Sequence, residues 1–228
     1  MADNYLEKKF EEFYSGKKAA VRHPGVSLDA LLTRTRSCRG YDKSYKVHRL
    51  QLERLAGVCT KVASAMNRQP LRFRLVTADD PTSPVMMPEG GVEEARRPSE
   101  IVLRHLRMGA ALPELHLPLP GTEPEAFIII CSAIPEDRYV DMDLGIAAQS
   151  MLLKASEMGL AGLLVCAFDK EELRRDLALP FEPLAVLAVG RSAEKQQLRT
   201  VAAGESLKYY REGDVHIVPK LSLQDLLI

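Results

Sequence analysis

Two short segments carry side chains suited to holding a charged, planar small molecule. In the first, Arg36-Ser37-Cys38-Arg39, two guanidiniums and a hydroxyl fall within four residues. Guanidinium forks match phosphate oxygens and a hydroxyl adds a donor, so the segment suits a phosphate. In an extended backbone Arg36 and Cys38 point one way and Ser37 and Arg39 the other, so a phosphate gripped by all three needs a kink or the segment's end. The competing reading is a solvated basic face, which most charge clusters are. The second segment is Ser64-Ala65-Met66-Asn67-Arg68-Gln69-Pro70. Asn and Gln amides offer donors and acceptors together, which suits the edge of a heterocycle. Pro70 biases Gln69 toward an extended backbone, so a defined turn is expected. The competing reading is an ordinary helix end followed by a turn.

Other templates fail. The chain has no His-Glu-x-x-His, no Gly-x-Ser-x-Gly, no Gly-x-x-x-x-Gly-Lys and no Gly-x-Gly-x-x-Gly after a strand. Its five histidines (His23, His48, His105, His116, His216) and four cysteines (Cys38, Cys59, Cys131, Cys166) are scattered without metal spacing, so no metal is expected. A hydrolase is therefore hard to defend, and an enzyme built on this sequence would draw its reactivity from a bound cofactor. Lys plus Arg equal Asp plus Glu at 31 each, which argues against a domain that coats nucleic acid or an anionic membrane. The N-terminus carries charge where a signal peptide needs an apolar stretch, and no apolar run approaches a membrane span. The expectation is a reduced, cytoplasmic, soluble protein.

The elements that must position these segments follow from hydrophobic patterning. A helix is expected over 3–17, with Asn4 as cap and Tyr5, Leu6, Phe10 and Phe13 as its apolar stripe. Ser27 starts a short helix, and another is expected from His48 to about Ala65. Leu71 to Thr77 alternates as a half-buried strand, whereas Phe127–Cys131, Ala161–Ala167 and Leu184–Val189 are continuous apolar runs, so interior strands. Asp141 and Asp143 sit where a helix N-terminus favours negative charge. Leu144 to Leu153 then contains no charged residue, so this helix belongs in the middle of the core or of a subunit interface, with Gly159 as C-cap. A short helix is expected over 169–177, a turn and strand over 209–218, and an apolar helical turn over 221–228. Residues 78–124 hold eight of the 14 prolines, with a helix from Ser99 to about Met108 inside. Such excursions are usually lids or binding loops, the alternative being an inert surface insertion. The class is α+β: one domain over 1–228, with an N-terminal helix and arm (1–26), the lid-like excursion (78–124) and a C-terminal extension (205–228).

Taken in order, Arg-Ser-x-Arg, Ser64-x-x-Asn67-Arg68-Gln69-Pro70 and Asp143-Leu-Gly-Ile-Ala-Ala-Gln149, followed by Met158-Gly-Leu-Ala-Gly162, resemble the nitroreductase family of flavoproteins. The resemblance spans about Leu28 to Gly190. It implies a three-layer α/β/α fold around a central mixed, mainly antiparallel sheet. It also implies a homodimer binding FMN at its interface and passing a hydride from NAD(P)H, by way of the flavin, to a small organic acceptor such as a nitro compound or quinone. By resemblance Arg36, Ser37 and Arg39 hold the FMN phosphate, with Arg39 also stabilising charge on the ring. Ser64, Asn67 and Gln69 approach the ring from the partner subunit, and Cys166 and Ala167 lie beside its reactive edge. Lys195 and Arg199 are candidates for closing the phosphate site. No side chain acts as catalytic acid or base. The excursion 78–124 forms the substrate-side wall. The sequence departs from the family pattern at Thr35, where a basic residue is usual, and at Cys166, where an acidic one is frequent. Two other readings stay open: a flavin-binding protein with another or no redox task, such as flavin consumption or ring dehydrogenation, and a non-enzymatic dimeric scaffold.

Overall fold

The runs Ala126–Ser132 (β2) and Glu182–Gly190 (β4) are apolar without alternation because both faces of each strand are covered. In the computed structural model, which describes residues 25–85, 95–109 and 112–228, all seven residues of β2 are buried. Ile128, Ile130, Leu187 and Val189 pack on one side, against Leu52 and Leu55 of a helix at Arg49–Ala56 (α2) and Ala147, Ala148 and Met151 of a helix at Arg138–Glu157 (α4). Phe127, Ile129, Val186 and Ala188 pack on the other, against Val102 of a helix at Pro98–His105 (α3) and Leu173 of a helix at Lys170–Asp176 (α5). The result is the expected α+β architecture, a sheet between two helical layers.

The sheet runs β1-β2-β4-β3, with β1 at Leu71–Val76 and β3 at Ala161–Val165, and its three pairings are antiparallel. Two expectations need correcting. β3 is an edge strand rather than an interior one, and on its outer side Ser37 forms an isolated parallel bridge to Gly162. Its apolar run reflects covered faces, not two strand neighbours. The single helix expected over His48–Ala65 breaks at Gly57 into a 3-10 turn, Gly57–Thr60, and a second short turn, Ala65–Asn67. Glycine and the β-branched Val58, Thr60 and Val62 are weak helix formers, and the Thr60 hydroxyl donates instead to the Gly57 carbonyl at 2.9 Å.

Elsewhere the caps fall where the residue types put them. The Ser27 side chain accepts from Ala30 N and opens Leu28–Arg34 (α1). Asp137 accepts from Tyr139 N and Val140 N and opens α4. Gly159 follows the end of α4 with φ +72°. In the single chain α4 is not buried all round: Met142, Gly145, Ile146 and Gln149 remain exposed, Met142 by 51%. Within 78–124, α3 docks onto α5 through His105, and Arg107 N donates to Ala167 O at 2.9 Å. The helix expected at 3–17 lies outside the described residues.

A second sheet, not anticipated as such, has the order β5-β7-β6: Lys195–Val201 (β5), Tyr210–Glu212 (β6) and Val215–Leu221 (β7). β5 pairs with β7 in parallel, and β6 and β7 form a hairpin turning at Gly213. A closing helical turn, Leu223–Leu226 (α6), follows Ser222 as its cap.

The bridge from β3 to Ser37 places the first candidate segment, and it tolerates little added bulk. A Cβ on Gly162 would lie 2.8 Å from Leu152 Cδ2 and 3.0 Å from the carbonyl oxygen of Ala188. The leucine tip can yield but the backbone oxygen cannot. Gly162→Ala is therefore expected to cost about 1–3 kcal/mol, read as a lowered thermal midpoint. An unchanged midpoint would mean that the strand shifts freely here.

Candidate functional site

Cys38 N donates to Gly162 O at 3.0 Å, so the segment runs extended along the edge of β3. Successive side chains of the segment therefore alternate in direction. Cys38 is buried in the core, its thiol pushed up to about 11 by burial, and Arg36 turns back to the end of α1. There Arg36 donates to the carbonyls of Leu32 (2.6 Å) and Thr35, while its buried Nε has no partner among the described residues. Ser37 is exposed. Arg39 is 9% exposed, reaches the Ser37 carbonyl at 3.1 Å, and lies 4.5 Å from the centre of the Tyr209 ring. Its Nε is also buried and unpartnered. A buried guanidinium nitrogen without an acceptor is costly and marks a place for an anion.

The C-terminal sheet covers this segment. Gln196 Nε2 donates to Ser37 O at 3.0 Å, and the backbone N–H of Arg39 donates to Glu194 Oε2 at 2.8 Å. The strand register places Gln196, His216 and Arg211 side by side. Lys195 and Arg199 fall on the opposite face by alternation. Lys195 pairs with Asp214 and Arg199 with the Tyr210 hydroxyl, both exposed, so the structure does not bring them to Arg39. Arg211 and His216 stand there instead. Sequence reasoning passed over them although a signal exists: they flank Gly213-Asp214, and a two-residue hairpin turn sets such residues opposite each other. Glu194 and Gln196 left no signal, lying 155 or more residues from the segment they touch.

His216 is 2% exposed, its Nδ1 has no partner among the described residues, and its ring lies 5.1 Å from that of Tyr209. Burial, and then the Arg39 charge, hold its imidazole below the ordinary histidine value; Arg211 acts in the same direction and Glu194 against it. The unfolded chain therefore takes up the proton first as pH falls. The stability this neutral imidazole contributes is complete above the ordinary value of about 6.5 and shrinks below it. Denaturant midpoints are expected to fall from pH 7 to pH 5 more steeply in the wild type than in His216→Gln. Equal slopes would assign the effect elsewhere.

The second segment is clamped by two carboxylates of α4. Asp143, 3% exposed, accepts the Ser64 hydroxyl at 2.6 Å and the Ala65 N–H at 2.8 Å. It lies beyond the first turn of α4, where the helix dipole has faded, so its place in the sequence reflects this turn rather than helix capping. Ser64 Oγ in turn accepts from Gln69 N at 2.9 Å, and Gln69 Nε2 donates to Asn67 Oδ1 at 2.8 Å. Arg68 forks onto Asp137 with three contacts of 3.1 Å, each group holding the other charged. Met66, Asn67 and Gln69 take φ of 52°, 53° and 48°. Gln69 is thus left-handed rather than extended before Pro70, because its amide is tied to Ser64. Left-handed Met and Gln cost about 1–2 kcal/mol each, a strain that the surrounding hydrogen bonds must offset. Beneath the turn lies a cleft of about 290 Å³ lined by Ser64, Gln69, Pro70, Phe73, Asp143 and Ala147.

Cys166 and Ala167 lie exposed just beyond β3, and desolvation raises the Cys166 thiol, so it is no activated nucleophile. Within one chain no hydrogen bond or ion pair joins residues 36–39 to residues 64–69 among the described residues.

The nitroreductase family model matches residues 32–191. The chain belongs to the nitroreductase family. A Methanocaldococcus jannaschii protein named as a nitroreductase is 40% identical over 57 residues, which span 25% of this chain and 29% of that protein. Among solved structures, a nitroreductase family protein of Clostridium difficile 630 superposes with a TM-score of 0.52 at 22% identity, covering 74% of this chain and 86% of its own. A Bacteroides thetaiotaomicron protein named as an NADH dehydrogenase/NAD(P)H nitroreductase gives 0.54 at 22% identity, covering 73% and 87%. An FMN-dependent nitroreductase of Clostridium difficile R20291 gives 0.52 at 16%, covering 73% and 88%. At these identities the likeness is one of fold. Among the described residues of this nitroreductase-family chain there is no cluster able to hold a metal ion, and no helix long and apolar enough to cross a membrane.

Proposed function

We propose that this chain is an FMN-dependent oxidoreductase, acting as a homodimer, that passes a hydride from NAD(P)H to a small organic acceptor. Membership of the family supports an oxidoreductase, and solved structures of the same fold are named FMN-dependent or FMN-containing. The observation that carries the reading is Arg39, nine-tenths buried, with an unpartnered Nε and its Nη1 on the carbonyl of the exposed Ser37. These donors fit a phosphate. Ser37 and Arg39 would hold it, with Arg211 closing the site from the C-terminal sheet, and Arg36 would reach it by leaving the carbonyls of Leu32 and Thr35. Asn67 and Gln69, fixed by Ser64 and Asp143, would present amides to the edge of the ring. Cys166 and Ala167 would contribute backbone beside it.

FMN, when bound, supplies the hydride-accepting and hydride-donating centre. The chain's own residues bind and orient. Arg39 places a fixed positive charge where anionic character is to be stabilised, and a dry setting strengthens that effect. Holding donor and acceptor in turn against one face is a task of positioning, for which no catalytic acid–base pair is required. Two observations support the dimer. Within one chain no hydrogen bond or ion pair among the described residues joins the grip at 36–39 to the amide turn at 64–69. The uncharged face of α4, with Met142 and Ile146 exposed, lies in the same layer as exposed Leu28 and Leu32 of α1. A second copy on that face would cover apolar surface and bring one chain's turn to the other's grip.

Purified protein is expected to be yellow, to elute at twice 25.3 kDa, and to bleach with NADH or NADPH. A yellow protein inert to both would point to a flavin-binding protein with another task. A colourless protein that takes up no added FMN would refute the reading.

A further inference from the structure

We propose that Glu194 is a tethered anion seated in the phosphate grip, where it competes with the flavin phosphate and sets how tightly this chain holds FMN. The inference rests on the flavin reading above and adds a residue to its site. Glu194 Oε2 accepts the backbone N–H of Arg39 at 2.8 Å and Gln196 Nε2 at 3.3 Å, while Oε1 meets the Arg211 guanidinium. The Glu194 side chain is 7% exposed. It is aimed there by its own backbone: Glu194 N donates to Ser192 Oγ at 3.1 Å, and Ala193 N to Gly40 O at 3.0 Å. A Cβ on residue 40 would lie 3.1 Å from Glu194 Cγ, so the glycine makes room for the carboxylate. This little-exposed carboxylate thus occupies a backbone donor of the Arg-Ser-x-Arg segment and the Arg211 guanidinium, which would otherwise be offered to a phosphate.

The carboxylate does not saturate the cluster. Arg39 Nε, Arg211 Nε and His216 Nδ1 stay buried and unpartnered around it. A carboxylate brings two oxygens and one negative charge, whereas a phosphate monoester brings three terminal oxygens and about −1.5 to −2 charges. A phosphate arriving at the grip would satisfy more of these donors, but it must first displace or repel Glu194. The competition gives a graded site that holds FMN less tightly than three arginines alone would, and it leaves the binding of flavins without phosphate unaffected.

The test is a fluorescence titration of flavin-free protein with FMN and, separately, riboflavin. Glu194→Gln keeps the size and an acceptor for Arg39 N–H but removes the charge. It is expected to tighten FMN binding about tenfold or more, because a like charge leaves a partly desolvated site, while riboflavin binding stays the same. A mere structural pin would give the reverse, FMN unchanged or weaker with riboflavin following it, and that result would overturn the proposal. If neither flavin binds the wild type, the flavin reading itself falls, which is a distinct outcome. If Glu194→Gln fails to fold, a crystal structure of the wild type with FMN decides. Glu194 withdrawn from Arg39 and Arg211 supports the competition, and Glu194 still seated with the phosphate elsewhere ends it.

Discussion

Replacing Arg36 and Arg39 together with alanine is expected to weaken FMN binding by two orders of magnitude or more while riboflavin affinity changes little. Each guanidinium can give a charged hydrogen bond to phosphate worth roughly 1.5–3 kcal/mol, so losing two costs about 3–6 kcal/mol, or ~10²–10⁴ in affinity. Riboflavin has no phosphate and is spared. The fold has reason to survive. Arg36 closes two carbonyls at the exposed end of α1, and Arg39 leaves behind Tyr209 and a Glu194 still paired with Arg211. Titration with both flavins, alongside thermal melts, separates the two effects. A double variant that keeps its preference for FMN over riboflavin would remove these arginines from the phosphate site.

Asp143→Ala is expected to give the opposite pattern: both flavins weaken in parallel and the protein becomes less stable. The carboxylate is the buried acceptor for Ser64 O–H and Ala65 N–H. Leaving these half-buried donors without a partner costs about 1–2 kcal/mol each, and Ser64 then loses the position from which it accepts Gln69 N–H. The left-handed Met66, Asn67 and Gln69 lose the bonds that offset their strain. A loss of about 2–4 kcal/mol lowers the thermal midpoint by roughly 5–15 °C for a chain of this size. Asp143→Asn, which keeps one acceptor, is expected to fall between. An Asp143→Ala protein with an unchanged midpoint and unchanged riboflavin affinity would show that the turn holds itself.

Several elements were legible because their cause is local. A strand covered on both faces must be apolar throughout, and β2 and β4 read that way directly. Ser27 and Gly159 begin and end helices by chemistry spanning a few residues, whereas the helix marked by Asp141 and Asp143 opens earlier, at Asp137. β5 was not legible: Lys195 to Thr200 is mostly exposed and polar, and it is a strand only because β7 lies beside it in parallel. β3 read as interior because apolar patterning reports covered faces and carries no information on hydrogen-bonded edges.

The same division runs through the site. The sequence by itself determined the family and the α+β class and singled out the two candidate segments, since residue types and short spacings carry that information. Only the tertiary structure decided that Arg39 and not Arg36 lies beneath the C-terminal sheet, and that Arg211, His216 and Glu194 join it while Lys195 and Arg199 turn away. Contacts between residues more than 150 positions apart depend on how strands register and pack. A one-residue change of register reverses which side chains face inward, and no local pattern in the chain records that choice.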